Sequence, residues 1–510
     1  MNARLEVALI ALPLRILLAS FVAFAGLGVG FVFAGASLKR QIIILGALGI
    51  AGFVGYTKQL IPVLLLGWVM AVTYNRQYYS FDGIYGNFGS DGLYWVPADL
   101  MFVAMAGCWI YRRASEEKPF VSFTPATFWF APFVIAAGLS ALAGSELHVG
   151  FAELLRWIKI ALMTVVLVQL LRGQNWWLCI AALACAVLVQ SALGILQFGL
   201  NTSTGLLSMF GGGGATSETI GASLAGSVRT RASGTMVHPN SFAPYLLYLL
   251  PAFLALTLGA RDNRIRMAAG IVCLGGYTGL VASMSRLPIT IAMGQAFLVA
   301  LILIAKRRLS VKVTAGLASC AMLFLLIVSA FFAEQIYERL TGDFKQSLTF
   351  RTEYNEVAVA MWNEHPLLGV GLNGFSGNVE RHHPLLAIPI ERAQAGRKEF
   401  GLRVIAPVHN LYLLILAETG ALGFCAFLFL LMGALWLGIR AFTRTRGHVQ
   451  LVSIGLAAGL TGQYLQQLMD FSLWMDPGLI TFATVMCLLY VAGVPDAVPE
   501  PFAEKSDALS

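Results

Sequence analysis

Runs of about twenty apolar residues recur along most of this 510-residue chain, and that repetition limits the solvent in which it can fold. A bilayer core is crossed by roughly 20 helical residues, and backbone N–H and C=O groups within it must be bonded inside the protein. Candidate spans lie near 14–36, 41–56, 59–73, 97–111, 126–143, 153–171, 176–199, 239–260, 267–285, 287–305, 313–333, 408–439, 450–470 and 477–494. The chain is 58% hydrophobic and 12% charged, with mean hydropathy +0.76, which excludes an ordinary soluble globular domain. The expected fold is all-α: a polytopic transmembrane helical bundle of about 12–14 spans with a large extracytoplasmic loop containing short helices. Arg4 and Arg15 precede the first span and Ala34-Gly35-Ala36 follows it, in the manner of a signal peptide. Its apolar part is longer than a typical signal core and more spans follow, so an uncleaved anchor is expected.

Lys and Arg in short loops set orientation. Arg112, Arg113 and Lys118; Arg261, Arg264 and Arg266; Lys306, Arg307, Arg308 and Lys312; and Arg440, Arg444 and Arg446 fall on one side if the spans alternate. That side is expected to be cytoplasmic, with Lys39 and Arg40 the exceptions. The other face then carries the polar segments 74–96, 200–238 and 335–407, and with them His148, His238, His365, His382, His383 and His409. The net charge of +8 reflects these topology residues and points to membrane lipids rather than nucleic acid. The seven cysteines all lie in or beside apolar spans, where they read as buried thiols rather than a disulfide framework or a metal site.

On the outer face, the polar pair His409-Asn410 opens a long apolar helix that also contains Gly420 and Gly423. Pro407 suits the start of a helix, which would put His409 in the first turn. There the helix dipole disfavours imidazolium, leaving a neutral ring able to accept a proton, while free amides attract anions. A purely structural polar cap satisfies the same pattern. Arg286, in Ser283-Met284-Ser285-Arg286-Leu287-Pro288, falls at the outer rim between two spans, where it either meets an anion or snorkels to lipid phosphates. Arg351 precedes Glu353, Val357, Met361 and Trp362 in a pattern expected to form an amphipathic helix along the membrane, and a solvated arginine beside Glu353 and Glu356 fits equally. Arg231-Ala-Ser-Gly-Thr leads to His238-Pro239-Asn240, a second histidine and asparagine at a helix start. It is either a rival site or half of the same one.

Glycines carry less. Gly211 to Gly214 lack a following Lys-Ser/Thr, which excludes a P-loop. His365-Pro-Leu-Leu-Gly369-Val-Gly371-Leu-Asn-Gly374-Phe375 reads as a turn-rich re-entry segment, and Gly420 and Gly423 read as helix-packing positions.

His409-Asn410 followed by Gly420 and Gly423 resembles the histidine motif of the bacterial O-antigen ligase and polymerase superfamily. Arg351 followed by Trp362 and His365-Pro366-Leu367-Leu368-Gly369, Ser285-Arg286, and Arg231-x-x-Gly234-Thr235 with Pro239-Asn240 resemble further segments of it, in the same order. The resemblance covers about 200–440. It implies an inverting, metal-independent membrane glycosyltransferase of the GT-C type that needs no cofactor. The implied donor is an undecaprenyl-pyrophosphate-linked glycan, and the implied acceptor is a saccharide or lipid core. His409 would be the base and Arg286 and Arg351 the pyrophosphate ligands, with Arg231, His238, Asn240 and Asn410 secondary. The expected organisation is N-terminal helices over 1–199, a catalytic region over 200–440 with outer loop 335–407, C-terminal helices over 441–494 and a cytoplasmic tail over 495–510. The expected location is the bacterial inner membrane with the site facing the periplasm. Ligase action is the first reading and polymerisation of lipid-linked repeats the second. A transporter is the reading from another class, with Glu418 and Asp470 its best mid-membrane candidates.

Overall fold

The computed structural model describes residues 60–74, 78–79, 94–115, 125–201, 221–224, 227–236, 238–309, 344–383 and 407–499. The expected spans 14–36, 41–56 and 313–333, and Gly211 to Gly214, lie outside the described residues. The other expected spans coincide with helices: α1 (Leu60–Val72), α2 (Pro97–Ser115), α3 (Pro125–Ala143), α4 (Leu147–Leu170), α5 (Gln174–Gly199), α6 (Pro239–Gly259), α7 (Asn263–Ala282), α8 (Arg286–Ala305), α11 (Leu411–Arg444), α12 (Gly447–Gln466) and α13 (Asp476–Ala492). Between them the polar segment 335–407 supplies α9 (Phe344–Glu364) and α10 (Phe375–His382). The protein is all-α, with two short antiparallel pairs: β1 (Tyr78–Tyr79) with β2 (Tyr94–Trp95), and β3 (Gly221–Leu224) with β4 (Ser227–Thr230). Among the described residues, five helices, α5, α6, α7, α8 and α11, are long and apolar enough to cross a membrane.

The chain divides into two compact units, residues 1–68 with 99–123, and residues 69–98 with 124–510. In the first, Arg112 and Arg113 end α2, and the Arg113 guanidinium lies 5.9 Å from the Trp109 ring centroid. The second contains every candidate site residue. Two of the six described cysteines, Cys185 and Cys425, are exposed on their helices rather than buried as expected.

At the centre of the second unit α6 packs on α12. Gly455 and Gly459 lie directly against the α6 backbone around Tyr248, Pro251 and Ala252, where a Cβ would have no room. Helix α6 holds Pro244 and Pro251, each of which removes a backbone donor from the helix. Pro251 leaves the Leu247 carbonyl without its usual partner, and the buried Gln295 amide from α8 donates to it at 3.0 Å and to Ala458 O at 3.0 Å. Gln463 of α12 also donates to α6, at Pro244 O. Buried Gln295 thus completes backbone bonding that lipid cannot.

Helix α11 is not the continuous helix its sequence suggests. Gly420 has φ 63° and ψ −168°, a conformation essentially restricted to glycine, and it breaks the helix. The His365–Phe375 segment fills the break. Val370 N and Gly371 N donate to Ala417 O and Glu418 O at 2.9 and 3.0 Å, and Ala421 N donates to Pro366 O at 2.8 Å. The buried Glu418 carboxylate accepts from Asn373 N at 3.0 Å and Phe375 N at 3.2 Å. Glu418 therefore ties this re-entry segment to α11, which is structural work and not that of a transported-ion site. Gly420 does meet a close neighbour, the Leu367 backbone, but as a hinge rather than as a helical packing position. Gly420→Ala is expected to cost about 1–3 kcal/mol from backbone strain alone, with the Leu367 clash added. A thermal midpoint in detergent lower than wild type, with less protein in the membrane, is the expected result; an unchanged midpoint would contradict this account of the break.

Candidate active site

Several of the residues singled out in the sequence come together near the N-terminal ends of α6 and α11: the Arg351 charge acts on His409, and the Arg231 and His409 charges act on His238. Asn410 is the N-cap of α11, its side-chain oxygen accepting from Tyr412 N at 3.1 Å and Leu413 N at 3.2 Å. His409 therefore stands just before the cap, one step outside the helix, rather than in its first turn. This corrects the expected placement. The competing amide donors of the first turn are taken by Asn410, and Leu411 N donates to the carbonyls of Gln467 and Asp470, both at 3.0 Å. The helix end is closed by protein, so the free-amide anion site expected there is absent at Tyr412, Leu413 and Leu411.

Bonding fixes the protonation of both histidines. His409 Nδ1 lies 3.2 Å from Pro407 O, and a carbonyl only accepts, so Nδ1 carries the proton and Nε2 keeps its lone pair. His238 is the N-cap of α6, and its Nδ1 accepts from Asn240 N at 3.1 Å. In a neutral ring that commitment puts the proton on Nε2. One histidine thus presents a base and the other a donor. Both rings are held neutral: burial, and then the Arg351 charge, lower His409 to about 4, while burial, Arg231 and His409 lower His238 to about 4. The helix dipole invoked from sequence is not the leading cause.

Arg231 ties three segments together. Its Nε donates to Ser283 O at 2.9 Å, and its Nη2 donates to Ser285 Oγ at 2.9 Å and Asn240 Oδ1 at 3.4 Å. The Arg231–Asn240 and Ser283–Arg286 segments therefore form one wall, and Asn240 and Arg231 act there by bracing it. Arg286 begins α8 directly after Ser285 and is exposed. Arg351 lies in the second turn of α9, whose Val357, Ala358 and Met361 are buried, and its charge acts on both His409 and Asp470. The amphipathic helix expected around Arg351 is present.

Several participants carried little signal in the sequence. Gln190 and Gln197, seven positions apart on apolar α5, clamp the turn after Arg231. Gln197 Oε1 accepts from Ser233 N at 3.0 Å and Gly234 N at 2.9 Å, and Gln190 Oε1 accepts from Thr235 N at 2.8 Å. Gly234, at φ 58°, lies directly on Gln190, which accounts for the glycine in that motif. Their shared helical face was the available clue. Asp470 and Phe471 come from the α12–α13 loop. The Phe471 ring meets His409 edge to face, with centroids 5.3 Å apart and planes at 90°. Asp470 is raised to about 6, burial outweighing bonds from Phe471 N at 2.8 Å and Gln466 at 3.1 Å and the Arg351 charge. It belongs to this site rather than to a mid-membrane ion path.

The arrangement puts an unprotonated imidazole nitrogen next to fixed positive charge, at the mouth of a helical bundle. That combination suits deprotonation of a hydroxyl beside an anionic leaving group. Residues 268–428 match the family model described as O-antigen ligase. Over that segment the chain is similar to O-antigen ligases, in agreement with the resemblance to the O-antigen ligase and polymerase superfamily. The matched segment contains Ser285-Arg286, Arg351 and His409, and stops short of Asp470; Arg231 and His238 precede it. An O-antigen ligase domain supports a glycosyltransferase-like ligase or polymerase activity in a membrane setting, in agreement with the apolar helices. Comparison with curated proteins gives no match.

Proposed function

We propose that this O-antigen ligase-type protein transfers a glycan from an undecaprenyl-pyrophosphate carrier to an acceptor hydroxyl at the outer face of the cytoplasmic membrane. The acceptor O–H is deprotonated by His409 Nε2 as its oxygen attacks the anomeric carbon. The bond from that carbon to the pyrophosphate oxygen breaks, the electron pair leaves with the pyrophosphate, and attack opposite the leaving group inverts the configuration. Arg351 and Arg286 stabilise the departing charge, which is the role a metal ion takes in other transferases. His238, with its Nε2–H directed by capping, donates rather than accepts and so is not the base.

The observation that carries this reading is the Nδ1-protonated, partly buried His409 within reach of the Arg351 charge, inside the segment that matches O-antigen ligases. A saccharide or lipid-core acceptor makes the reaction a ligation; a second lipid-linked repeat makes it polymerisation. Deleting the gene and analysing surface glycan decides between them. Loss of one polymer from its anchor, with the lipid-linked form accumulating, is expected for the ligase, whereas single unpolymerised units identify a polymerase. Unchanged glycans with loss of a solute uptake would overturn both in favour of a transporter.

The outer-face assignment rests on loop charge and predicts labelling. A cysteine at exposed Asn363, next to Glu364 at the end of α9, is expected to react with a membrane-impermeant thiol reagent in intact spheroplasts. One at exposed Thr443, near the end of α11, is expected to react only after lysis. The reverse pattern would invert the topology.

A further inference from the structure

Helix α4 and the first residue of α13 share a cluster of charges with no place in the chemistry above. Glu153, Arg156 and Asp476 are 0%, 7% and 2% exposed. Charge at membrane depth is costly and persists where it is paired and used. Arg156 Nε and Nη2 donate to Glu153 Oε1 at 3.1 and 2.5 Å, and Trp157 Nε1 donates to the same oxygen at 3.0 Å. Arg156 Nη1 lies 3.7 Å from Asp476 Oδ1, and Asp476 Oδ2 accepts from Tyr94 OH at 2.6 Å. Arg156 Nη1 also reaches Tyr94 OH at 3.5 Å, and one bond leaves the cluster: Nη1 donates to the main-chain carbonyl of Trp474 at 2.7 Å, with the guanidinium carbon 5.3 Å from that residue's ring centroid.

That carbonyl ends a tight turn. Trp474 N donates to Phe471 O at 2.8 Å, closing Phe471–Trp474, and the Phe471 ring is the surface on which the His409 imidazole rests. One residue earlier, Asp470 O accepts from Leu411 N at the start of the His409 helix. The path from Arg156 to His409 therefore runs through one carbonyl, one closed turn and one ring contact.

We propose that Arg156, oriented by Glu153, is a positioning residue for His409: by gripping the Trp474 carbonyl it fixes the turn whose Phe471 ring seats the imidazole. This rests on reading His409 as the base, but its test need not. Lysine at 156 keeps a cation beside Glu153 and Asp476 yet lacks the planar fork that serves Glu153 and the Trp474 carbonyl at once. The groups acting on His409 and its neighbourhood from other elements, Arg351, His238, Arg231 and Asp470, are unaltered by that change.

The experiment uses full-length protein in nanodiscs and diethyl pyrocarbonate, which modifies unprotonated imidazole, read at His409 by peptide mass spectrometry. His448, in the first turn of α12, is the internal control. In wild type, slow modification with an inflection near pH 4 is expected. In Arg156→Lys the rate at His409 should rise several-fold and the inflection move up toward 6.5, with His448 unchanged. Phe471→Leu, which severs the last link without touching the buried charges, should do the same, and it carries the test if Arg156→Lys also speeds His448 and so has lost its fold. In transfer assays either variant should lower kcat more than KM. An unchanged rate and inflection at His409 in folded variants overturns the proposal, even if transfer is lost. Should wild type transfer no glycan, the functional reading fails while the modification data still decide this one.

Discussion

His409→Ala is expected to lower glycan transfer by about 10²-fold or more, the usual share of a positioned general base, with protein level and donor binding largely retained. Retention follows from the local structure. The cap of α11 is made by Asn410, not by His409, and the His409 ring contributes one bond to the Pro407 carbonyl and an edge contact with Phe471. Its removal therefore leaves the helix start intact. Surface glycan by electrophoresis and protein by immunoblot are the measurements. Normal glycan display would return His409 to a polar residue at a helix end. His238→Ala is a different loss, because it removes the N-cap of α6 at a typical cost of about 1 kcal/mol; its deficit should appear in stability as well as in transfer.

Arg351→Lys is expected to fail to restore activity. Lysine keeps the charge that depresses His409 but loses the two-pronged contact to phosphate oxygens. Losing charge-assisted bonds costs about 1.5–3 kcal/mol, or roughly ten- to more than a hundredfold in rate. The donor-binding constant and turnover of Arg351→Lys and Arg351→Ala, measured with lipid-linked glycan, check this. Equal activity in Arg351→Lys and wild type would mean that only a point charge is needed, and the bidentate assignment would fall. Arg286, exposed at the mouth of α8, is expected to behave in the same way. If Arg286→Ala transfers normally, the pyrophosphate is held by Arg351 without it.

The helices were legible because lipid enforces a simple rule: each span must satisfy its own backbone, so apolar runs such as 239–260 and 287–305 mark helices to within a residue or two of α6 and α8. The break in α11 was not legible. Gly420 sits in an apolar helix of the same composition as its neighbours, and what bends it is the Pro366–Phe375 segment, about fifty residues away in sequence. The site divided in the same manner. His409, Arg351 and the Arg231–Asn240 wall stood out as polar groups at the edges of spans. Asp470, Phe471 and the Gln190 and Gln197 clamp did not, because a lone polar residue beside an apolar helix has many structural uses and only contact tells which applies. The neutrality of His409 was anticipated, but from the helix dipole; burial and Arg351 are the larger causes, and neither can be read along one segment.

The most direct test is the rate at which purified protein, supplied with a saccharide or lipid-linked acceptor hydroxyl, releases undecaprenyl pyrophosphate from lipid-linked glycan, measured as a function of pH. A base held at about 4 is already unprotonated at pH 5, so release should be flat from about pH 7 down to pH 5 and then fall as the ring takes a proton near 4. His409→Ala should show little release and no such limb. Absence of release from wild type, or a half-loss near pH 6.5 as for an unshifted histidine, would contradict the account.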